Sequence, residues 1–436
     1  MLILHISDIH FKAPHCASED DPNRPYRTRM IQDVRSRCDQ IGNVDALIVG
    51  GDIAYRADPI EYDAANAWIS GLAQTCGCPI ERIFVVPGNH DVDRSVIRRK
   101  RNIQNAHAAI ASVEPARRAD ELMNQLADDS VGHALIEPLT AYNDFAKKFD
   151  CQVFPKRLFW KQDLLLRSDV TLRIYGLTST LLSGAVSARG QDDTRDSLFL
   201  SHWQTVFDPV DDVVNAVISH HPPDWFMDHE TVEEAVRGRT KLQFFGHRHR
   251  QGNIRDPHYM RFEAGALNPD RNEIGWHPAY NLIDLKVVGE GASRQLHISA
   301  HFMTWQAGAP EQYVRLRDAG GLEVWEHTLA IPGRVRPSAA PGPAAAPQAN
   351  GDVPGAPGGN QSEEVAMNDQ PKRKIVTRWW RLPMDARREI ALQLNLITDA
   401  EIDLPEAERY GLALSRAGER HQVDALIREI EKWESQ

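Results

Sequence analysis

Through the first 290 residues, short apolar runs alternate with stretches whose apolar positions fall at helical spacing, and this alternation narrows the possible folds to few. Residues 2–7, 46–49 and 82–86 read as buried strands. Between them, Met30, Ile31, Val34, Cys38 and Ile41 lie on one face of a helix, and Tyr62, Ala65, Trp68, Ile69 and Leu72 on one face of another. A β–α–β rhythm of this kind builds a parallel sheet with both faces covered. Further strands are expected at 171–176, 216–219 and 241–245, and the segments 259–264, 280–287 and 295–304 read as an antiparallel run. From residue 93 to about 160 the chain is instead helical and charged, with Leu135, Ile136, Leu139, Tyr142 and Phe145 as one apolar stripe. This reads as an insertion over one edge of the sheet.

Beyond about Pro332 the composition turns abruptly to Pro, Ala, Gly and Asn, which cannot bury enough apolar surface to order a chain. The expected organisation is therefore a large α/β domain at 1–331, a flexible linker at 332–374 and a small helical domain at 375–436. In the last of these Val423, Leu426, Ile427, Ile430 and Trp433 form a stripe, and Ile390, Leu394 and Leu396 suggest an earlier helix. No run of 18 apolar residues and no secretory leader are visible, so a cytoplasmic protein with no membrane partner is expected. The five cysteines lack a framework spacing, and the close pair Cys76 and Cys78 has no second pair with which to hold zinc. A formal net charge of −11 argues against a strongly electrostatic, sequence-blind nucleic-acid binder, although metal ions can reverse the sign of a site locally.

Five short motifs occur in order, most just beyond an apolar strand: Asp8-Ile9-His10, Gly50-Gly51-Asp52, Gly88-Asn89-His90-Asp91, Ser219-His220-His221-Pro222 and Gly246-His247-Arg248-His249. Loops at the carboxyl ends of strands converge in an open α/β sheet. Each motif offers carboxylate, imidazole or amide ligands, a mixture that suits Mn, Fe or Zn, and the glycines allow sharp turns. Singly each is an ordinary turn; together they describe a metal site.

With these motifs residues 1–290 resemble the calcineurin-like metallophosphoesterase family. The resemblance implies a four-layer αββα sandwich of α/β class, with two divalent ions about 3.5 Å apart at the strand ends. It implies manganese first, iron or zinc as alternatives. Asp8, His10 and His249 would hold one ion and Asn89, His220 and His247 the other, with Asp52 bridging. His90 would contact the substrate phosphate and protonate the leaving group. His221 would stand on the substrate side or behind the ligands, and Asp91 would either orient His90 or cap a following helix.

Substrate is less legible. Arg94, Arg98, Arg99, Lys100 and Arg101 form a basic cluster shortly after His90; Arg94 and Arg98 can hold a polyanion or terminal phosphate, or simply solvate a helix face. Trp160 and Trp225 offer stacking surfaces or, alternatively, core packing. A phosphodiesterase or nuclease acting on nucleic acid or a nucleotide is expected; a phosphomonoesterase or protein phosphatase, or a non-catalytic nucleotide sensor, is the alternative. The tail resembles, through Trp380-Arg381-Leu382-Pro383, Arg387 to Ala391 and Leu394 to Ile397, the death-like or effector-associated adaptor domains of bacterial signalling proteins. That implies a protein partner; docking back or self-association is the alternative.

Overall fold

The computed structural model describes residues 1–185, 193–268, 277–308, 310–318, 320–333, 378–379, 382, 384–398, 406–420 and 422–434. The expected linker falls outside them except for residues 332–333, as do Trp380, Arg381 and Pro383 of the adaptor resemblance. The chain divides into two compact units, residues 1–342 and 343–436.

The first unit holds two mixed β-sheets. One is built on β1 (Leu2–Ile6), β2 (Ala46–Val49) and β3 (Ile83–Val85), which run parallel. The second contains β4 (Phe159–Arg167), β5 (Val170–Leu177), β6 (Val213–Ser219), β7 (Leu242–Phe245), β8 (Gly252–Arg255) and β9 (Met260–Glu263), in the order β4-β5-β6-β7-β9-β8. Four later strands, β10 (Ala279–Val288), β11 (Gln295–Gln306), β12 (Gln312–Arg315) and β13 (Trp325–Ala330), return to the first sheet. They extend it antiparallel from β1 in the order β12-β11-β10-β1-β2-β3, with β13 also on β11.

The expectation of one antiparallel run from residue 259 onward is therefore corrected. The segment at 260–263 pairs parallel with β7 in the second sheet, and only the segments from residue 279 form the antiparallel extension. A short strand carries no information on which sheet receives it; long-range pairing decides that.

Alternation along β6 sorts the layers. Val214, Ala216 and Ile218 join the core shared by the two sheets, where Phe262 meets Phe302 with ring centroids 6.4 Å apart. Val217 faces the other way and packs with Val232 and Val236 of helix His229–Arg239, which covers the second sheet. The first sheet's core takes in Met30 and Val34 of α1 (Arg24–Ile41) and Tyr62, Ala65, Ile69 and Leu72 of α2 (Pro59–Cys76). Helix, sheet, sheet and helix make the expected four layers. A capping box of Asp58 and Glu61, with Pro59 in the first turn, fixes where α2 begins, and Gly77 in the left-handed conformation ends it.

The insertion consists of α3 (Arg94–Arg99), α4 (Arg101–Ser112), α5 (Pro115–Ala127), α6 (Asp129–Ile136) and α7 (Thr140–Ala146); the helix on the second sheet is α8. Its expected single stripe is buried but divided, because a turn at Glu137–Leu139 separates α6 from α7. Trp160 is core: its ring stacks on Phe84 at 5.8 Å and its Nε1 donates to the Val85 carbonyl at 3.1 Å.

In the second unit α9 (Met384–Gln393), α10 (Glu406–Glu419) and α11 (Val423–Glu434) share a core of Trp379, Ile390, Leu396, Tyr410, Leu426 and Ile430. Leu394 and Leu396 lie just past the end of α9, where a left-handed Asn395 turns the chain. No helix among the described residues is long and apolar enough to cross a membrane.

Candidate metal centre

All five motifs stand at carboxyl ends of parallel strands: three on the first sheet, after β1, β2 and β3, and two on the second, after β6 and β7. The loops are stitched together by backbone bonds. Asp8 N donates to the Gly51 carbonyl and His10 N to that of Asp52, both at 3.0 Å, and Gly246 N donates to the His220 carbonyl at 3.0 Å.

The turns are made less by the glycines than by the polar residues themselves. Asp8, His10, Asp52, His247 and His249 all carry φ between 49° and 69°. Left-handed backbone at a non-glycine residue costs about 1 kcal/mol or more and persists only where surroundings enforce it. Five such residues in one place mark a site in which side-chain direction has been favoured over backbone comfort.

The side chains converge. Asp52 Oδ2 lies 3.1 Å from His10 Nε2 and 3.4 Å from His220 Nε2. Asn89 Oδ1 lies 3.1 Å from both His220 Nε2 and His247 Nδ1, and Asp8 Oδ1 is 3.2 Å from His249 Nε2. Two groups have ligand atoms within 4.8 Å of one another: Asp8, His10, Asp52 and His249 in one, His220, His221 and His247 in the other, and neither includes a cysteine.

The hydrogen bonding shows what these atoms need. His220 Nδ1 faces the Gly50 carbonyl at 2.8 Å, an acceptor only, so that nitrogen carries the proton. Its Nε2 lone pair is then aimed at two more acceptors, Asn89 Oδ1 and Asp52 Oδ2. Acceptors facing acceptors in a buried site require a cation between them. Without a metal, a second proton serves: burial opposes charge on His220, but the Asp52 and Asp8 carboxylates outweigh it and raise its pKa to about 9. Burial likewise opposes ionisation of Asp52, and the surrounding imidazoles overcome it and hold its pKa well below the ordinary range. Residue set and orientation therefore fit divalent cations.

His90 stands at the rim. Its Nδ1 donates to the Tyr55 carbonyl at 2.9 Å, its ring stacks on Tyr55 at 5.1 Å, and its backbone N–H donates to Asp52 Oδ1 at 2.8 Å. Nε2 is left as the ring atom that exchanges protons. Burial lowers its pKa.

Asp91 requires correction. It neither orients the His90 ring nor caps α3, whose cap is Asp93. Its carboxylate instead accepts from Ile53 N, Ala54 N, Gly88 N and Tyr62 Oη, at 2.8 to 3.2 Å, and so ties the second motif to the third. Burial and the nearby Asp52 charge push its pKa up to about 6.

His221 is fully buried beside the ligands. Its Nδ1 meets Ser179 Oγ at 2.9 Å, and its Nε2 has no hydrogen-bond partner among the described residues. Trp225 is half-buried and bridges the two readings: it packs against the core under α8 and stands edge-on to His247 with centroids 4.0 Å apart, so it also borders the site. Arg94 and Arg98 line a cavity of about 630 Å³ together with His90 and Asn89. Arg99, Lys100 and Arg101 do not line it, and Lys100 pairs with Glu137. A second cavity, of about 840 Å³, lies at the opposite, amino ends of β6 and β7, away from the histidines.

Sequence reasoning missed three contributors. Tyr55 supplies the His90 contact. Asn268 backs His10, its carbonyl 3.4 Å from Nδ1 and its amide donating to Ile9 O at 2.6 Å. Glu61, buried, accepts from the backbone N–H of Ala13, Tyr55, Arg56 and Asp58 and thereby holds the Tyr55 loop. The capping-box spacing from Asp58 to Glu61 was a readable signal for the last.

Residues 1–251 match the profile of the calcineurin-like phosphoesterases. The chain belongs to that family. Residues 371–432 match a second profile, the GTPase-associated adaptor domain. An uncharacterized metallophosphoesterase-like protein of Bacillus subtilis, YydB, is 26% identical over 153 residues, 35% of this chain and 28% of that protein. The chain thus spans little more than a quarter of that relative's length. Among solved structures, a predicted phosphoesterase of Streptococcus pneumoniae is 12% identical, with 75% of this chain and 97% of that one covered at a TM-score of 0.29. GAP50 of Plasmodium, described as an anchor in the inner membrane complex, is 10% identical, with coverages of 77% and 90% and a TM-score of 0.39.

Proposed function

We propose that this calcineurin-like protein is a dinuclear metal-dependent phosphoester hydrolase that cleaves phosphodiesters, as a phosphodiesterase or nuclease. The observation that carries the proposal is the convergence of buried Asp52, Asn89 and His220, whose acceptor atoms face one another and need a cation between them, a metal ion or, failing that, a proton. In this reading Asp8, His10 and His249 hold one ion, Asn89, His220 and His247 the other, and Asp52 both. Manganese is the proposed pair, since the set combines hard oxygens with imidazoles; iron and zinc take the same ligands. When bound, two such ions neutralise the phosphoryl oxygens and make a water nucleophilic at neutral pH.

The chain's own residues do the rest. In hydrolysis the phosphorus gains a bond to the oxygen of water and loses its bond to the alcohol, which needs a proton as it leaves. His90 supplies that proton from Nε2, while the Tyr55 carbonyl keeps Nδ1 protonated and the ring in place. Glu61 and Asp91 fix the loops that carry Tyr55 and His90, and His221, fully buried against Ser179, stands behind the ligands rather than on the substrate side. The retention of every ligand and of His90 favours turnover over a nucleotide-sensing role. The adaptor match supports recruitment to a protein partner through the second unit.

The test is hydrolysis of bis-p-nitrophenyl phosphate, p-nitrophenyl phosphate and single-stranded DNA by metal-stripped protein before and after Mn²⁺ is restored. Manganese-dependent cleavage of the diester and the DNA is expected. Cleavage of the monoester alone redirects the assignment to a phosphatase, and no cleavage by fully metallated protein leaves the sensor.

A further inference from the structure

The cavity on the His90 side is more than an open approach to the metal centre. It is lined by Tyr55, Arg56, Asn89, His90, Arg94 and Arg98, with Asp58 and Asp93 also in its wall. The two acids are engaged elsewhere: Asp58 Oδ1 accepts from Ile60 N at the start of α2, and Asp93 Oδ1 from Ser95 N, Ser95 Oγ and Val96 N at the start of α3. A third and a fourth cation gather at the Tyr55 ring, Lys12 Nζ at 4.4 Å from its centroid and Arg56 at 5.6 Å. Neither Lys12 nor Arg56 has a carboxylate within ion-pair distance among the described residues. In a chain of net charge −11, three arginines in the wall that holds one catalytic imidazole, with Lys12 against the Tyr55 ring that stacks on it, are a local reversal of sign.

Such a cluster is unexplained by the scissile phosphate, whose charge is met at the metal centre. We infer that the cavity holds a second phosphate, carried by the leaving alcohol, so that the substrate is a nucleic-acid strand or oligonucleotide cleaved next to another phosphate. This rests on the hydrolase reading and the role of His90, because the cavity begins at the atom that protonates the leaving oxygen. Repeating phosphates match several cations set along one cavity, whereas a phosphoserine leaves as an uncharged alcohol. Volume agrees: about 630 Å³ accommodates a nucleotide, and ligand pockets of this kind run from about 300 to 1,000 Å³.

Two measurements on the full-length chain test the inference. Manganese-loaded wild type and the K12Q/R56Q variant are compared on the dinucleotides TpT, pTpT and TpTp. One phosphorylated dinucleotide is expected to exceed TpT in kcat/KM by at least tenfold, and that ratio is expected to fall about tenfold in the variant. Lys12 and Arg56 are exposed, so glutamine leaves the core intact, and any effect of losing their contact with the Tyr55 ring falls on all three dinucleotides alike and cancels in the ratio. Equal rates on all three dinucleotides overturn the inference. So does a ratio that survives in the variant, or faster turnover of an acidic phosphoserine peptide. The second measurement is calorimetric titration of metal-free protein with thymidine 3′,5′-bisphosphate, where at least fivefold weaker binding is expected in the variant. If wild type hydrolyses no diester at all, the phosphodiesterase reading fails, and the calorimetry still decides whether the cavity binds phosphate: unchanged binding in the variant overturns that as well.

Discussion

Gly88→Ala is a single added methyl group whose consequences can be followed from contact to catalysis. Gly88 has φ −102° and ψ 178°, which any residue adopts, so backbone preference does not require glycine here. Space does. A Cβ at this position would lie 2.1 Å from Asp52 Oδ1 and 2.3 Å from Asp52 N. The second atom is backbone, so no rotamer change relieves the clash, and Asp52 must retreat by roughly 1 Å to reach van der Waals contact. Overpacking of this kind costs about 1–3 kcal/mol, and the backbone clash places it at about 3. In a unit of this size that is a fall in Tm of about 6 °C at roughly 2 °C per kcal/mol. The larger effect falls on the site, because Asp52 also accepts from His90 N and faces His10 and His220. A misplacement of about 1 Å among reacting groups costs about a hundredfold in rate. The control is Gly42→Ala: Gly42 has φ 101° and ψ 172°, a region nearly reserved for glycine, with nothing within 4 Å of an added Cβ, so it should lose about 1–3 kcal/mol of stability and no activity. Scanning calorimetry, elemental analysis of bound metal and bis-p-nitrophenyl phosphate turnover measure all three. A Gly88→Ala protein with wild-type Tm, two metals and wild-type turnover would refute the reasoning from Asp52.

His90→Ala should retain both metals and lose about 10²- to 10⁴-fold in kcat on a diester, the usual range for a lost general acid; wild-type turnover would remove His90 from the mechanism. His107, buried in α4, has its pKa pushed down by burial from 6.5 to about 4. It is neutral in the fold, so the unfolded chain binds the extra proton and stability is lost as pH falls from about 6.5 toward 4. The loss is about 3 kcal/mol in full and about 2 kcal/mol by pH 5. His107→Leu should therefore show a urea midpoint less sensitive to pH between 7.5 and 5 than wild type, and an equal sensitivity would contradict this. Removal of residues 334–436 should leave diester turnover within about twofold; the cut must not fall at 332, since the Pro332 carbonyl accepts from Asp212 N at 2.8 Å and Ile331 is buried in the core. A collapse of turnover would make the second unit part of the catalytic machinery.

Where strands end, and which side chains stand at those ends, could be read from the chain's local pattern. An apolar run of four or five residues followed by Asp, Asn or His is a local pattern, and residues 8, 10, 52, 89, 90, 220, 247 and 249 could be named from it. The helical stripes of α1, α2 and α11 were legible for the same reason, since periodicity is a property of neighbours in the chain. Tertiary structure alone decided the rest. That β9 joins β7 rather than the strands that follow it depends on how the two sheets divide the chain, and that β10 to β13 return to β1 depends on a pairing across more than 200 residues. That Asp91 would be spent on four donors rather than on His90 follows from where Ile53, Ala54 and Tyr62 arrive, and no spacing in the chain encodes it. Arg56, Arg94 and Arg98 are spread along the chain as ordinary surface charges, and only the packing of their loops makes them one cationic wall, with Lys12 brought against the Tyr55 ring beside it. Local pattern names the candidate ligands because each follows its own strand; the cavity beside His90 lies between loops, and its chemistry exists only once they have met.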